Sequence, residues 1–400
     1  MRKILKNING DRTIWAIIAL LAIFSFLPVY SASTNLVGVI GKGTTQGYLL
    51  KHAMLLLLGF VIIYATHKIP YRYFSGLSVL LIPVVLVLLV YTIFQGSKIE
   101  GANASRWISI PFVGIGFQTS TLASVVIMMY TARFLAKNRN KRITFKESLW
   151  QLWVPVGVML LFILPANFST TALIFLVVLI VTFLGGYPIK YLLGILATGL
   201  VVFAIFILIA KSFPDTFKNT RIDTWVARIE NFTNPTEETN YQAEKAKLAI
   251  ASGEIQGQGP GKSVQKNFLP QSSSDFIYAI IVEEFGLIGG FLLLILYIGL
   301  LFRIVIVAQN ADTIFGTLLV LGVGLPIIIQ ALVNMGVAVG LFPVTGQPLP
   351  LISTGGTSIW MTCFAIGIIL SVSAAREAKI NSEKENYEDN PLTVLHETID

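Results

Sequence analysis

Long apolar segments recur along most of this chain of 400 residues, and they limit its fold more than any other feature. Runs of about 18 or more apolar residues are long enough, as helices, to cross a hydrocarbon core of about 30 Å. Of all residues, 54% are hydrophobic and only 12% are charged, a composition outside the range of ordinary soluble domains. The sequence therefore predicts an all-α polytopic membrane protein, because a transmembrane β-barrel would show shorter segments of alternating hydrophobicity.

We expect about ten transmembrane helices from the hydropathy pattern. They are predicted over Thr13–Tyr30, Tyr48–Thr66, Phe74–Phe94, Phe117–Ala136, Leu149–Asn167, Phe168–Gly185, Tyr191–Ala210, Phe276–Val307, Thr313–Val339 and Ser358–Ala374. The first of them resembles a signal peptide, since basic residues precede it and Ser31-Ala32-Ser33 follows it. The many later spans favour an uncleaved first helix instead.

Lysine and arginine residues in the short connections predict the orientation. The N-terminal basic residues, the block Lys137–Lys146 and Arg376 fall on one side if the spans alternate, so both termini are predicted to be cytoplasmic. One large loop, residues 211–275 between spans seven and eight, then lies outside the cytoplasm. Residues 1–375 form a single integral membrane domain, and residues 376–400 form a polar cytoplasmic tail that we expect to be disordered.

Composition also disfavours several classes of function. The formal net charge is +8, but the basic residues are divided between the two sides of the membrane, so nucleic-acid binding is disfavoured. The single cysteine, Cys363, excludes an intramolecular disulfide. The three histidines are far apart and lack the spacing of metal ligands, so no metal site is predicted.

The large loop contains two predicted helices. Apolar residues recur at helical spacing in the first, which predicts a helix on the outer membrane surface; they are Ile222, Trp225, Val226, Ile229 and Phe232. Thr239 and Gln242 fit a capping box for the second, which is predicted to end near Gly253.

A glycine-rich segment, Gly257–Ser263, follows that helix. It has the Gly-Lys-Ser ending of a phosphate-binding loop, but the position five residues before Gly261 is Gln256 rather than glycine. A nucleotide-binding loop is therefore disfavoured, and a tight loop beside the membrane is the simpler interpretation.

Asp275 is the strongest candidate for a catalytic residue. A carboxylate at the end of an apolar span can lie half-desolvated against a cavity, where its proton affinity is tunable. The alternative is that Asp275 only caps the helix predicted to start at Phe276, since aspartate is a preferred N-cap. Glu284 lies two turns further into the same span, where a carboxylate either contacts a neighbouring span or has a functional role.

Two further segments are expected near Asp275. Arg106 lies in an outer loop, where a guanidinium can form forked hydrogen bonds to phosphate oxygens, although an ordinary surface arginine is equally compatible with the sequence. The segment Phe342–Ser358 contains too many prolines and glycines to form a continuous helix. Irregular backbone at membrane depth is tolerated where it lines a cavity, so we expect this segment to line the cavity that Asp275 faces.

Taken together, these segments resemble the SEDS family (shape, elongation, division and sporulation), which includes FtsW, RodA and SpoVE. The resemblance covers nearly the whole chain. It is carried by NASRWI at 103–108, NYQAEKAKLAIASGEIQGQGPGKS at 240–263, DFIYAIIVEEFGLIGG at 275–290 and PVTGQPLPLISTGGTSIW at 343–360. The last of these is more similar to the FtsW branch than to the RodA branch.

The resemblance implies a peptidoglycan glycosyltransferase that polymerises lipid II outside the bacterial cytoplasmic (inner) membrane, at the division septum. In this interpretation Asp275 is the general base and Glu284 has a structural or coupling role. The predicted substrate-binding residues are Arg106, Lys266, Gln242, Ser353, Gly355 and Gly356. The implied partners are lipid II, a class B penicillin-binding protein and other division proteins; no cofactor is assigned, and a divalent cation is left open.

Two segments depart from the family pattern. The family commonly has QPSELAK before the fourth span, whereas Gln118–Ser124 lacks the glutamate and the lysine. It also commonly has QPDLGT, whereas Pro165–Thr170 lacks the aspartate. No site residue is assigned from either segment. A lipid II flippase is the alternative function, although it would require polar residues along a path through the bilayer, and a scaffold for division proteins is a third.

Overall fold

The computed structural model is built almost entirely of helices. It describes residues 9–40, 44–95, 107–109, 116–141, 143–212, 241–269 and 272–388, together with Trp225, Arg228, Glu230 and Phe232. The helices of the first half are α1 (Arg12–Ile40), α2 (Thr45–His67), α3 (Arg72–Gln95), α4 (Thr119–Asn138), α5 (Phe145–Ser148), α6 (Val154–Ile163), α7 (Phe168–Leu184) and α8 (Ile189–Ser212). Those of the second half are α9 (Tyr241–Gly253), α10 (Ile277–Gln309), α11 (Ile314–Ala338) and α12 (Thr357–Glu388).

Within the described residues, eight helices are long and apolar enough to cross a membrane: α1 to α4, α8 and α10 to α12. The predicted sixth span is the shorter apolar helix α7. The predicted fifth span is α5 and α6 joined by a π-helix over Leu149–Trp153. The prediction of an all-α polytopic membrane protein is therefore confirmed, while the number of ten spans and their orientation stay predictions.

Three local features differ from the sequence-based expectations. A short antiparallel hairpin, β1 (Trp107–Ser109) with β2 (Gly116–Gln118), precedes α4. Helix α1 continues to Ile40, so Ser31–Ser33 is buried inside it. Helix α12 continues to Glu388, so the first part of the tail predicted to be disordered is helical.

Contacts between side chains and neighbouring helices explain the length of α12. Glu377 accepts a hydrogen bond from the backbone amide of Gly10 at 2.8 Å, and Lys379 Nζ lies 3.4 Å from the Asp312 carboxylate. Arg376 donates to the backbone carbonyl of Asn310. These contacts hold the polar start of the tail against the ends of α1 and α10, which composition alone does not indicate.

Small residues allow the core helices to approach closely. Helix α12 packs along α2, where a Cβ atom added at Gly59 would lie 2.7 Å from Cys363 Sγ and one added at Gly367 would lie 2.6 Å from Thr66 Cβ. Small residues have this role where membrane helices pack on one another. Helix α11 packs between α10 and α4, and α9 packs on α10. This arrangement places the start of α10, with Asp275 before it, among α9, α11 and the segment before α12.

Candidate functional site

Asp275 lies in the turn that leads into α10. The helix begins at Ile277, and its N-cap residue is Phe276, whose side chain makes no capping hydrogen bond. Asp275 is therefore not the N-cap residue of α10, and its role as a general base stays a prediction. Its side chain is half-buried, and its Oδ1 accepts a hydrogen bond from Ser274 Oγ at 2.8 Å. A carboxylate in this position is partly desolvated and lies outside the helix.

The segment before α12 fixes this turn. Ser353 Oγ donates to the Ser274 carbonyl at 2.6 Å and accepts from the Leu349 amide at 2.7 Å. Both the amide and the hydroxyl of Thr354 lie 3.0 Å from the Ser273 carbonyl. Ser353 is only 1% exposed, so the structure gives it a clear part in holding the turn, and its contact with substrate stays a prediction.

Glycines in the same segment bring its backbone next to the functional groups. Gly346 has φ +69°, and a Cβ atom added there would lie 3.4 Å from Asp275 Oδ2. Gly356 has φ +55°, and an added Cβ would lie 3.7 Å from the ring of Trp107. Gly355, between Ser353 and Gly356, is half-buried. The segment thus joins the Asp275 turn to the β1–β2 hairpin, while its role in lining a cavity stays a prediction.

The hairpin is attached to the start of α12 by Thr357. The Thr357 hydroxyl donates to the Gly116 carbonyl at 3.0 Å and accepts from the Gln118 amide at 3.1 Å. Trp107 pairs with Gln118 across the hairpin and reaches Gly356. Arg106, which directly precedes Trp107, lies outside the described residues, so its predicted role stays a prediction.

Asn334 is a residue of the site that the sequence analysis missed. It is 1% exposed, and its Nδ2 donates to the carbonyls of Asp275 and Gln347, each at 2.8 Å. Gln347 Nε2 in turn donates to Thr170 Oγ1 at 2.8 Å. A buried amide in an apolar helix is costly unless it is hydrogen-bonded, and that cost is the signal that could have identified Asn334.

Gln242 lies half-buried in the first turn of α9. The apolar side of this helix packs on the start of α10, through Ala246 and Ala249 against Phe276 and Ala279. Helix α9 therefore lies beside the residues that immediately follow Asp275. Direct contact of Gln242 with substrate stays a prediction, and its proposed capping partner Thr239 lies outside the described residues.

Arg228, from the loop between α8 and α9, is a second charged group near Asp275. Its guanidinium is half-buried, which lowers its pKa, and the negative charge of Asp275 acts in the opposite direction. The apolar periodicity of this loop gave no signal for Arg228, since arginine is an ordinary residue at a membrane surface.

Lys266 and Glu284 lie together in a second polar cluster, with Glu283, Ser263 and Ser31. Both glutamates are 1% exposed and Lys266 is 8% exposed. Lys266 Nζ lies 3.1 Å from Ser31 Oγ and donates to the Gly261 carbonyl at 2.8 Å. Ser31 donates to Glu284, which connects α1 to α10. The structure thus surrounds Lys266 with buried protein groups, and its contact with a pyrophosphate stays a prediction.

Glu283 holds the loop that contains Lys266. Its Oε1 accepts hydrogen bonds from the amides of Val264 at 2.9 Å and Gln265 at 3.2 Å, and its Oε2 accepts from Ser263 Oγ. These bonds satisfy the buried carboxylate and hold the loop against α10. The role assigned to Glu284, structural or coupling, fits this setting but has not been tested.

The glycine-rich segment fills a break in α10. Gly286 has φ 67° and ψ −172°, which interrupts the helix. The freed amides of Leu287 and Ile288 donate to the carbonyls of Glu254 and Ile255, at 2.9 and 3.3 Å. A Cβ atom added at Gly286 would lie only 2.1 Å from the Ile255 carbonyl oxygen. A Cβ atom added at Gly257 would likewise lie 2.3 Å from the Glu284 carbonyl oxygen. Both glycines therefore serve close backbone packing, which agrees with the interpretation of Gly257–Ser263 as a tight loop.

Metal coordination has no obvious place in the described part of the chain, where no group of three or more His, Cys, Asp or Glu side chains could hold an ion.

Comparison with known proteins agrees with this arrangement. A family profile described as "Cell cycle protein", covering FtsW, RodA and SpoVE, matches residues 11–378. A "Probable peptidoglycan glycosyltransferase FtsW" of Hydrogenovibrio crunogenus is 32% identical over 89% of this chain and 90% of its own length. A protein of the same name from Geobacter sulfurreducens is 33% identical over 91% of this chain and 95% of its own length.

Solved structures show the same fold. A chain from a peptidoglycan synthase complex, described as coordinating polymerization and crosslinking, superposes with a TM-score of 0.71 at 23% identity, covering 92% of this chain and 98% of that one. The rod shape determining protein RodA of Thermus thermophilus gives a TM-score of 0.65 at 23% identity, covering 92% and 97%. The chain belongs to the FtsW/RodA/SpoVE family of cell cycle proteins.

Proposed function

We propose that this protein is a peptidoglycan glycosyltransferase that polymerises lipid II at the outer face of the bacterial cytoplasmic membrane. Relatives named as probable glycosyltransferases, 32% and 33% identical over about nine tenths of both chains, support this activity. The observation that carries the proposal is the setting of Asp275, a half-buried carboxylate in the turn before α10, one residue ahead of the N-cap position.

In the proposed reaction, the 4-hydroxyl of the acceptor sugar attacks the anomeric carbon of the donor. Asp275 takes the proton of that hydroxyl as the new C–O bond forms, which requires hydrogen-bond reach to the hydroxyl. The bond between the anomeric carbon and the pyrophosphate oxygen breaks, and undecaprenyl pyrophosphate leaves with the electron pair. A single displacement of this kind inverts the configuration at carbon.

The substrate-binding residues follow from the same arrangement. Arg106 would bind the departing pyrophosphate and offset its charge. Ser353, Gly355 and Gly356 would line the cavity between the Asp275 turn and Trp107, and Gln242 would contact the substrate from α9. Lys266 is proposed as a second phosphate contact, which would require its ammonium group to leave the cluster around Ser31.

The proposed partner is a class B penicillin-binding protein, and the proposed location is the division septum. The likeness of the segment PVTGQPLPLISTGG to FtsW and the FtsW names of the relatives support the division role. One of the similar solved structures belongs to a synthase complex, which supports assembly with a crosslinking partner.

Purified lipid II gives the direct test. The full-length protein in detergent, alone and with its class B partner, should convert lipid II into glycan chains that are resolved by gel electrophoresis. Movement of labelled lipid II across proteoliposomes without any glycan product, in the presence of the partner, would instead show a transporter and refute the proposal.

A further inference from the structure

Trp225 attaches the outer loop to two transmembrane helices. Its ring centroid lies 5.2 Å from that of Phe168, the first residue of α7, and 6.3 Å from that of Phe206 on α8. Phe168 also stacks on Phe203 of α8 at 5.2 Å. This aromatic cluster fixes the position of the loop helix relative to the outer ends of α7 and α8.

Arg228 lies on the same face of the loop helix as Trp225. Trp225, Arg228 and Phe232 are all helical, and spacings of three and four residues place side chains on one face. The guanidinium is therefore one turn from the aromatic anchor. The contact of Trp225 with Phe168 places this part of the helix at the start of α7, and the charge of Asp275 opposes the lowering of the Arg228 pKa that burial causes.

A chain of hydrogen bonds links the start of α7, which Trp225 contacts, to the Asp275 turn. Thr170, in the first turn of α7 after Phe168, accepts a hydrogen bond from Gln347 at 2.8 Å. Asn334 joins the Gln347 carbonyl to the Asp275 carbonyl, at 2.8 Å each. The loop helix thus contacts the start of α7, and the start of α7 is hydrogen-bonded to the segment before α12 that holds the Asp275 turn.

We propose that Arg228 is a further substrate-binding residue of this site, that its guanidinium binds the pyrophosphate of the lipid-linked donor, and that Trp225 positions it. This inference rests on the proposed function. Arginine presents a planar fork of donors that matches phosphate oxygens, and it is more weakly hydrated than lysine, which suits a half-buried position.

The setting of Arg228 suits this role better than that of Lys266. Lys266 Nζ is engaged by Ser31 and Gly261 within a buried cluster, whereas the guanidinium of Arg228 lies within the electrostatic reach of the base. Negative charge grows on the pyrophosphate as its bond to the sugar breaks, and a cation already in place stabilises it without reorganisation. In the same reaction, Asp275 would then accept the proton of the attacking hydroxyl, and Arg228 would offset the negative charge of the leaving pyrophosphate.

Binding of undecaprenyl pyrophosphate to the full-length protein in detergent tests the inference without requiring turnover. Arg228→Gln should raise the Kd at least about tenfold, which corresponds to about 1.4 kcal/mol. Arg228→Lys should give an intermediate Kd, because it keeps the charge and loses the fork. Lys247→Gln, which removes an exposed charge from α9, is the matched control and should leave the Kd unchanged.

Variants of Trp225 separate positioning from general stability. Trp225→Ala should raise the Kd nearly as much as Arg228→Gln, and Trp225→Phe should restore most of the affinity while keeping an aromatic ring against Phe168. If Arg228→Gln lowers the melting temperature, the Kd of Arg228→Lys is compared with that of wild type instead. A higher Kd for Arg228→Lys would then support the inference, and an unchanged Kd would contradict it.

Two outcomes would overturn the inference: an Arg228→Gln variant that binds undecaprenyl pyrophosphate as wild type does, or a wild-type protein that does not bind it. Failure of the proposed function looks different. In that case the wild-type protein binds the lipid pyrophosphate through Arg228 but makes no glycan chains with its partner present.

Discussion

Replacement of Asp275 by asparagine is the change that most directly tests catalysis. Asparagine keeps the size of the side chain and an oxygen that can accept the hydrogen bond from Ser274 Oγ, which is 2.8 Å long in the wild-type protein. A hydrogen bond to a charged group contributes about 1.5–3 kcal/mol and a neutral one about 0.5–1.5 kcal/mol. The free energy of unfolding should therefore fall by only about 1 kcal/mol.

The expected loss of activity is much larger than this loss of stability. Removal of a general base lowers the rate by about 10²- to 10⁴-fold. At 1.36 kcal/mol for each factor of ten, this corresponds to about 2.7–5.4 kcal/mol of transition-state stabilisation. Asp275→Ala should be equally inactive and nearly as stable, because Asp275 is not the N-cap of α10.

The assay combines lipid II polymerisation with thermal unfolding in detergent, with the class B partner present. Asp312→Asn is a matched control, since Asp312 forms an ion pair with Lys379 at 3.4 Å, remote in the fold from the Asp275 turn. It should keep full activity, as partly exposed ion pairs contribute only about 0–1 kcal/mol. An Asp275→Asn protein that retains more than about a tenth of wild-type activity would refute the assignment of the general base.

Three further changes test other parts of the structure. Gly253→Ala should destabilise the protein by about 3 kcal/mol, seen as a lower melting temperature, because the added Cβ would lie 2.0 Å from the backbone of α10. Arg106→Lys should weaken polymerisation without changing the melting temperature, since the forked geometry of the guanidinium is lost. Wild-type activity in Arg106→Ala would show that Arg106 does not bind substrate. Gln256→Cys should react with an impermeant thiol reagent from outside the cell and Asn140→Cys should not, both positions being exposed; the reverse pattern would contradict the predicted orientation.

The last of these tests uses Gln256 because the structure excludes an otherwise natural choice. Ser272 lies three residues before Asp275, in the loop predicted to be outside the cytoplasm, but it is only 2% exposed. A cysteine there would be protected by burial on either side of the membrane, so its lack of reaction would say nothing about orientation.

The hydrophobic pattern by itself determined the class of fold and the approximate ends of the helices. In a bilayer, every backbone polar group must be satisfied within the segment, so a long apolar run has almost no alternative to a helix. The same local reasoning placed Asp275 at the end of a span. It also disfavoured a nucleotide-binding loop at Gly257–Ser263, because one glycine of that motif is missing. These conclusions depend only on neighbours in the sequence.

The break in α10 at Gly286 could not be predicted from neighbouring residues in the sequence. The apolar run after Asp275 continues through this glycine without a polar signal, and only the close backbone of Glu254 and Ile255 explains the interruption. The helix after Asp275 also begins one residue later than predicted, at Ile277 rather than Phe276. Asp275 therefore lies outside the helix and is not its N-cap residue. A shift of one residue is too small for hydropathy to predict, but it places the Asp275 carboxylate outside the helix.

Only the tertiary structure decided which polar side chains work together. Lys266 is close to Asp275 in sequence, yet its contacts are with Ser31, 235 residues away, and with Gly261. Arg228 is 47 residues from Asp275 in sequence, yet the charge of that carboxylate acts on its pKa. Distances of this kind are set by how the helices pack, because a buried charge is tolerated only beside partners that the fold, and not the local sequence, brings to it.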